Sequence, residues 1–166
     1  MKTLILMRHA KSSWGNPTLA DHARPLNDRG IYSARALAKW LREKKLTPSQ
    51  ALVSSSVRTQ ETFAGLKLDI EPTLKPELYH ASSDTLLETI ESAEEDTIIL
   101  IAHNPGIGDL AMRLARMMGQ HPSHSRFADY PTGATLVTQW EADSWHDIDW
   151  SQGKMIDFIV PRDLLL

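Results

Sequence analysis

The run Thr97-Ile98-Ile99-Leu100-Ile101-Ala102 constrains this chain more than any other stretch. It is β-branched, apolar and unbroken, which predicts a central, buried strand. Two shorter runs share its character: Thr3-Leu4-Ile5-Leu6-Met7 and Ala51-Leu52-Val53-Ser54. Between them lie segments with helical spacing of apolar residues. Strands alternating with helices predict a three-layer α/β/α sandwich around a mostly parallel sheet. The 166 residues suit one domain, spanning 1–166, with no linker or internal repeat.

The first strand leads into a polar, irregular stretch from Lys11 to Asn27, longer than a tight connection needs. A helix is predicted from Leu26-Asn27-Asp28, with Asn27 as its cap. Ile31, Ala34, Ala38 and Leu41, widened by Leu37 and Trp40, form its buried stripe, and Lys44-Lys45 and Thr47-Pro48 end it. After Ser54, Ser55-Ser56-Val57-Arg58-Thr59-Gln60-Glu61-Thr62 begins a second helix. Its free N–H groups face the strand ends, where an anion is welcome. Arg58 in its first turn opposes the helix dipole, an odd choice for stability alone.

Leu66 to Leu78 carries Pro72 and Pro76 and is expected to cross the edge of the sheet. Asp84–Ala93 and Ile107–Met118 are further helices, the first burying Leu86, Leu87 and Ile90. Gly119–Pro131 reads as a polar loop. Ala134–Trp140 and Lys154–Val160 are two more strands, joined by an acidic segment that contains Trp145 and Trp150. Those two tryptophans are expected to pack at a sheet edge.

Function classes narrow by composition. Hydrophobic residues make up 42% and charged ones 23%, an ordinary globular balance, and no apolar run approaches a membrane span. Met1-Lys2 runs directly into a strand-like segment rather than a signal-peptide pattern. With no cysteine there is no disulfide framework, and a cytoplasmic setting is expected. The net charge of −3 hides a basic stretch: residues 1–67 carry 12 Lys/Arg against 4 Asp/Glu. That excess can focus anions. No basic-aromatic stripe points to nucleic acid.

The strands deliver similar residues to one edge: Arg8-His9 after the first, Arg58 after the second, His103 after the third. In α/β sheets ligands bind at the carboxyl ends of the strands. A strand that merely surfaces into a polar loop would account for any one of them. Together they would make a pocket of two guanidinium forks and two imidazoles, which matches a phosphoryl group. It matches a metal poorly, because adjacent arginines repel a cation and no carboxylate stands at ligand spacing. No metal or other cofactor is expected. His121-Pro122-Ser123-His124 reads as solvated loop rather than as ligands.

Leu6-Met7-Arg8-His9-Ala10 resembles the Arg-His motif of the histidine phosphatase superfamily, which also contains the cofactor-dependent phosphoglycerate mutases. Ser54–Thr62 resembles its second motif, and Ala102-His103-Asn104-Pro105 the motif of its second histidine. Arg24-Pro25-Leu26, the short length and the absence of a lid insertion are similar to the SixA-type phosphohistidine phosphatases. The resemblance implies a phosphoglycerate mutase-like fold and a metal-independent phosphatase. His9 would be the nucleophile, with Arg8, Arg58 and His103 around the transferring phosphoryl group. Arg24 would bind substrate at the pocket mouth near His22, and Asp21 would orient Arg24. Two guanidinium charges would keep His9 neutral, as a nucleophile must be.

Ala10 stands where the superfamily usually has Gly. Glu77, in Pro76-Glu77-Leu78, falls near the place where the mutases and broad phosphatases keep an acidic proton donor, whereas SixA-type enzymes manage without one. The expected substrate is phosphohistidine on a protein. The alternatives are a promiscuous small-molecule phosphate-ester phosphatase, or a non-catalytic module that binds phosphorylated residues.

Overall fold

The structure is a computed structural model and describes residues 1–165. Six strands form one mixed sheet: β1 Lys2–Arg8, β2 Gln50–Ser54, β3 Pro72–Lys75, β4 Thr97–Ala102, β5 Thr135–Trp140 and β6 Lys154–Ile159. Their order across the sheet is β3-β2-β4-β1-β5-β6. The first four in that order are parallel, and β5 and β6 join antiparallel on the far side of β1. The helices are α1 Asp28–Glu43, α2 Val57–Gly65, α3 Ser83–Glu91, α4 Gly106–Met118 and the short α5 Pro161–Leu164.

Alternation along the strands divides the core into two layers. Leu4, Leu6, Ile98 and Leu100 point towards α3 and α4, where Leu86, Ile90, Leu110 and Leu114 meet them. Ile5, Met7, Ile99 and Ile101 point the other way, onto Leu37 and Leu41 of α1 and Phe63 of α2. Both faces of β1, β2 and β4 are thus buried, as their continuous apolar sequences require. Among the described residues no helix is long and apolar enough to cross a membrane.

Four local expectations need correction. Ile31 does not join the buried stripe of α1 and stays 44% exposed. The first turn of that helix overhangs the loop after β1, and Gly30 is the residue that faces inward. A Cβ there would lie 2.0 Å from the Lys11 carbonyl oxygen. The segment after α2 does more than cross the edge: Pro72–Lys75 adds an edge strand, where a proline at the first position breaks no ladder bond. The loop before β5 is not simply polar, since it buries Phe127 and Tyr130. Trp145 is buried against Trp140 and donates to the Glu95 carbonyl at 2.6 Å, at the end of the sheet where β4 begins rather than along a lateral edge.

Candidate active site

The register of β1 and β4 explains how the two histidines meet. Arg8 pairs with Ala102, so His9 and His103 are the next residues out on adjacent parallel strands. Their ring centroids are 5.2 Å apart, and each residue is only 5% exposed. The His9 amide donates to the Ala102 carbonyl at 3.1 Å, which extends the ladder one step and fixes the ring's origin. The Ala10 amide donates to Thr62 Oγ1 at 3.0 Å, and that hydroxyl donates to the Arg58 carbonyl at 2.8 Å. The loop after β1 is therefore tied to the helix that carries Arg58.

Hydrogen bonding sets the tautomer of each ring. His9 Nδ1 lies 2.7 Å from the Ala10 carbonyl oxygen. A carbonyl can only accept, so Nδ1 carries the proton and Nε2 keeps its lone pair. His103 Nδ1 lies 3.4 Å from Arg58 Nη2, a donor only, and so accepts; its Nε2–H donates to Ser54 Oγ at 2.8 Å. Both imidazoles are neutral. Burial, followed by the Arg8, Arg58 and Arg24 charges, lowers the His9 pKa to about 4 against the opposing pull of the Ala10 bond. Burial first, then His9 and Arg58, lowers that of His103 to about 3.

The arginines complete the cradle. Arg58 is 5% exposed and, besides its contact with His103, donates to the Asp21 carbonyl and to the Asp21 carboxylate. Ser56 caps α2 by accepting from the Thr59 amide, so the helix starts cleanly although Arg58 opposes its dipole. Arg8 donates from Nη1 to the Tyr130 carbonyl at 3.2 Å, and its buried Nε has no hydrogen-bond partner among the described residues. Burial, then Arg58, lowers the Arg8 pKa. Two cations held close around an unmet buried donor make a site that calls for an anion.

Other anticipated residues divide. Arg24 is buried at the edge of the cradle, donating to Ser13, Asp21 and Ser12, with its guanidinium 3.3 Å from the centre of the Trp14 ring. It braces the loop after β1 and adds charge near His9. Asp21 does orient Arg24, at 2.8 Å, and also receives Arg58 and the Tyr79 hydroxyl. The Tyr79 hydrogen bond, then Arg24 and Arg58, hold its carboxyl well below the ordinary range. His22 sits at the mouth, 2.9 Å from Ser55 Oγ and edge-on to Tyr79.

Among the described residues Glu77 makes no hydrogen bond or ion pair with Arg8, His9, Arg58 or His103. It is exposed, and its ion-pair partner among the described residues is Lys75 at 3.5 Å. His124 is more than solvated loop: it accepts from the Arg126 amide and donates to Asp163 at 2.8 Å. Among the described residues no group of three or more His, Cys, Asp or Glu is placed to hold a metal.

Sequence reasoning missed Ser54 as the partner of His103, Tyr79 as the ring edge-on to His103 at 5.4 Å, and Tyr130. The Tyr130 carbonyl receives Arg8 at 3.2 Å and Asn104 at 3.0 Å; its hydroxyl donates to the Leu6 carbonyl and accepts from the Leu136 amide at 3.1 Å. One buried tyrosine thus aligns Arg8 and the start of α4.

Residues 4–82 match the histidine phosphatase superfamily (branch 1). The uncharacterized protein Rv1276c of Mycobacterium tuberculosis is 31% identical over 160 residues, covering 94% of this chain and 100% of that one. Among solved structures, a candidate SixA phosphohistidine phosphatase from Nakamurella multipartitia superposes with a TM-score of 0.84 at 25% identity, over 96% of each chain. The protein histidine phosphatase SixA complexed with tungstate shares the fold with a TM-score of 0.72 at 22% identity, over 98% of this chain and 99% of that one.

Proposed function

The chain belongs to the histidine phosphatase superfamily, and we propose that it hydrolyses protein phosphohistidine through a covalent intermediate on His9. The observation that carries this reading is the buried Arg8 Nε, without a partner among the described residues, beside Arg58 and two neutral imidazoles, a cradle suited to a phosphoryl dianion. Tungstate, an oxyanion of similar shape, accompanies the related SixA fold.

In the first step the lone pair of His9 Nε2 attacks phosphorus, and the bond from phosphorus to the substrate's ring nitrogen breaks; that ring, protonated on its other nitrogen, departs as neutral imidazole. In the second, water attacks the phosphoryl group on His9, releasing inorganic phosphate and restoring the free ring. Arg8 and Arg58 neutralise charge on the equatorial oxygens, and His103 contributes a donor once the anion supplies a reason to hold a proton. The Ala10 carbonyl keeps Nε2 aimed throughout.

The choice of substrate rests on the leaving group. An imidazole departs with a conjugate-acid pKa of about 6.5, whereas an alkoxide needs a proton from a well-placed acid. Glu77 is turned to Lys75 and to solvent, which favours cleavage of P–N over P–O bonds. The test is brief exposure to a phosphohistidine peptide, a quench in alkaline detergent, separation of the protein from the peptide, and then treatment of one half with acid and the other with base. Acid-labile, base-stable phosphate on His9, lost in His9→Ala, is expected. Phosphate on a hydroxyl residue, or turnover surviving His9→Ala, would falsify the assignment. The same label appearing without release of phosphate would identify a trap rather than a phosphatase.

A further inference from the structure

Beside the phosphoryl cradle lies a groove of about 920 Å³ that the reaction does not use. Its walls come from the loop after β1 at Lys11, the first turns of α1 at Arg29 and Tyr32, the loop before β5 at Arg126, and α5 at Arg162. Pro131, Val160 and Pro161 supply apolar lining. Lys11 is two residues from His9, and Pro131 directly follows Tyr130, whose carbonyl holds Arg8. Two stretches of its wall are thus close chain neighbours of residues that build the cradle.

Its charge is lopsided. Four cations line it against a single carboxylate, Asp28. Arg126 is paired with Asp129 at 3.0 Å, but Lys11, Arg29 and Arg162 are exposed and have no carboxylate within 4.0 Å among the described residues. Arg29 sits in the first turn of α1, where a cation opposes the helix dipole, so helix stability does not explain it. Tyr32, 60% exposed, lines the groove together with Arg29. An exposed aromatic among arginines is the composition of a protein-binding surface.

We propose that this groove docks an acidic segment flanking the phosphorylated residue of a protein substrate, with Arg29 and Arg162 as its charge contacts and Tyr32 as its apolar one. The inference rests on the phosphohistidine reading and adds a determinant of specificity that lies outside the reacting atoms. Rim charges of this kind act mainly on encounter and on salt dependence.

Two phosphohistidine peptides of equal length, one flanked by glutamates and one by glutamines, separate the possibilities, with phosphoramidate as a substrate too small to reach the groove. At low ionic strength the wild-type chain should favour the glutamate peptide in kcat/KM, on the order of tenfold, and lose that preference as salt rises past a Debye length of about 10 Å. The doubly reversed variant Arg29→Glu, Arg162→Glu should abolish or invert the preference while hydrolysing phosphoramidate at the wild-type rate. Equal rates for both peptides in the wild-type chain, or a preference untouched by salt and by the double reversal, would overturn the docking groove while leaving the phosphatase reading intact. Failure to turn over any of the three substrates would instead sink the phosphatase reading itself.

Discussion

Asp21 grips Arg58 twice, accepting from one guanidinium nitrogen at 2.7 Å through its backbone carbonyl and from the other at 3.0 Å through its carboxylate. The residues are 37 positions apart, and the second contact draws the fork into line with the His103 ring. Asp21→Ala should therefore behave as a misaimed Arg58. A loss of about 10²-fold in kcat/KM is expected, since displacement of a positioning group by about 1 Å costs that much. Tyr79→Phe, which removes one of the other bonds to the same carboxylate, should cost less. Steady-state kinetics on both variants checks the order; equal losses would show that Tyr79 acts on substrate directly.

Removing a donor outright should cost more than misaiming it. Arg58→Ala and His103→Ala should each lower kcat by about 10²–10³-fold without unfolding the protein, the range seen when a preorganised donor to a developing anion is deleted. Circular dichroism alongside single-turnover kinetics separates chemistry from collapse.

The two neutral imidazoles make stability depend on pH in a definite direction. Each pKa is lowered from 6.5, to about 4 in His9 and about 3 in His103, so between those limits the unfolded chain binds protons that the folded chain refuses. This contribution to stability is complete above pH 6.5 and is lost progressively as pH falls through the folded values. Sulfate should offset the loss, because an anion between the arginines favours the protonated rings. Thermal melts between pH 7 and 4, with and without sulfate, give the comparison; a melting temperature that stays flat on acidification would contradict buried neutral histidines.

Gly30→Ala tests the close approach of α1 to the loop after His9. Alanine in a helix normally stabilises by about 0.5–1 kcal/mol over glycine. Here its Cβ would meet the Lys11 carbonyl oxygen at 2.0 Å, which is backbone and cannot swing aside. The expected result is a loss of about 1–3 kcal/mol, typical of overpacking, together with reduced turnover as His9 shifts. Denaturant melts decide the sign.

Glu77→Gln should leave kcat/KM for a phosphohistidine peptide within about twofold, since a surface ion pair such as that with Lys75 contributes little. A strong preference of the wild-type chain for an alkyl phosphate, collapsing in Glu77→Gln, would show that this carboxyl donates a proton and that the substrate reading is wrong.

Much of this architecture is legible in the chain itself. The buried strands announce themselves as apolar runs, and placing Arg8-His9, Arg58 and His103 at their ends was enough to assemble the cradle. What escaped detection depends on long-range partners. Pro72–Lys75 has four residues, two of them exposed, and becomes a strand only because β2 offers a free edge. Tyr79 follows the exposed Pro76-Glu77 and finds Asp21 from 58 positions away. Tyr130 looked like one more member of a polar loop, and nothing local signals that its carbonyl would hold Arg8. A buried aromatic amid Arg, Asp and Pro was the available clue. Ile31 misled because helical spacing identifies a face without telling how far the helix extends beyond the layer it covers.

The bonds around Tyr130 join a surface loop to the middle of the sheet: one side chain spans Leu6 and Leu136, and the same residue's carbonyl steadies Arg8. Fraying of the 119–131 segment would release the arginine while β1 and β4 were still zipped. The catalyst should consequently fail on warming before the scaffold does, its rate dropping at temperatures where the far-ultraviolet signal is unchanged and recovering when the sample is cooled. Heat would act on this molecule first as a reversible off-switch and only later as a denaturant.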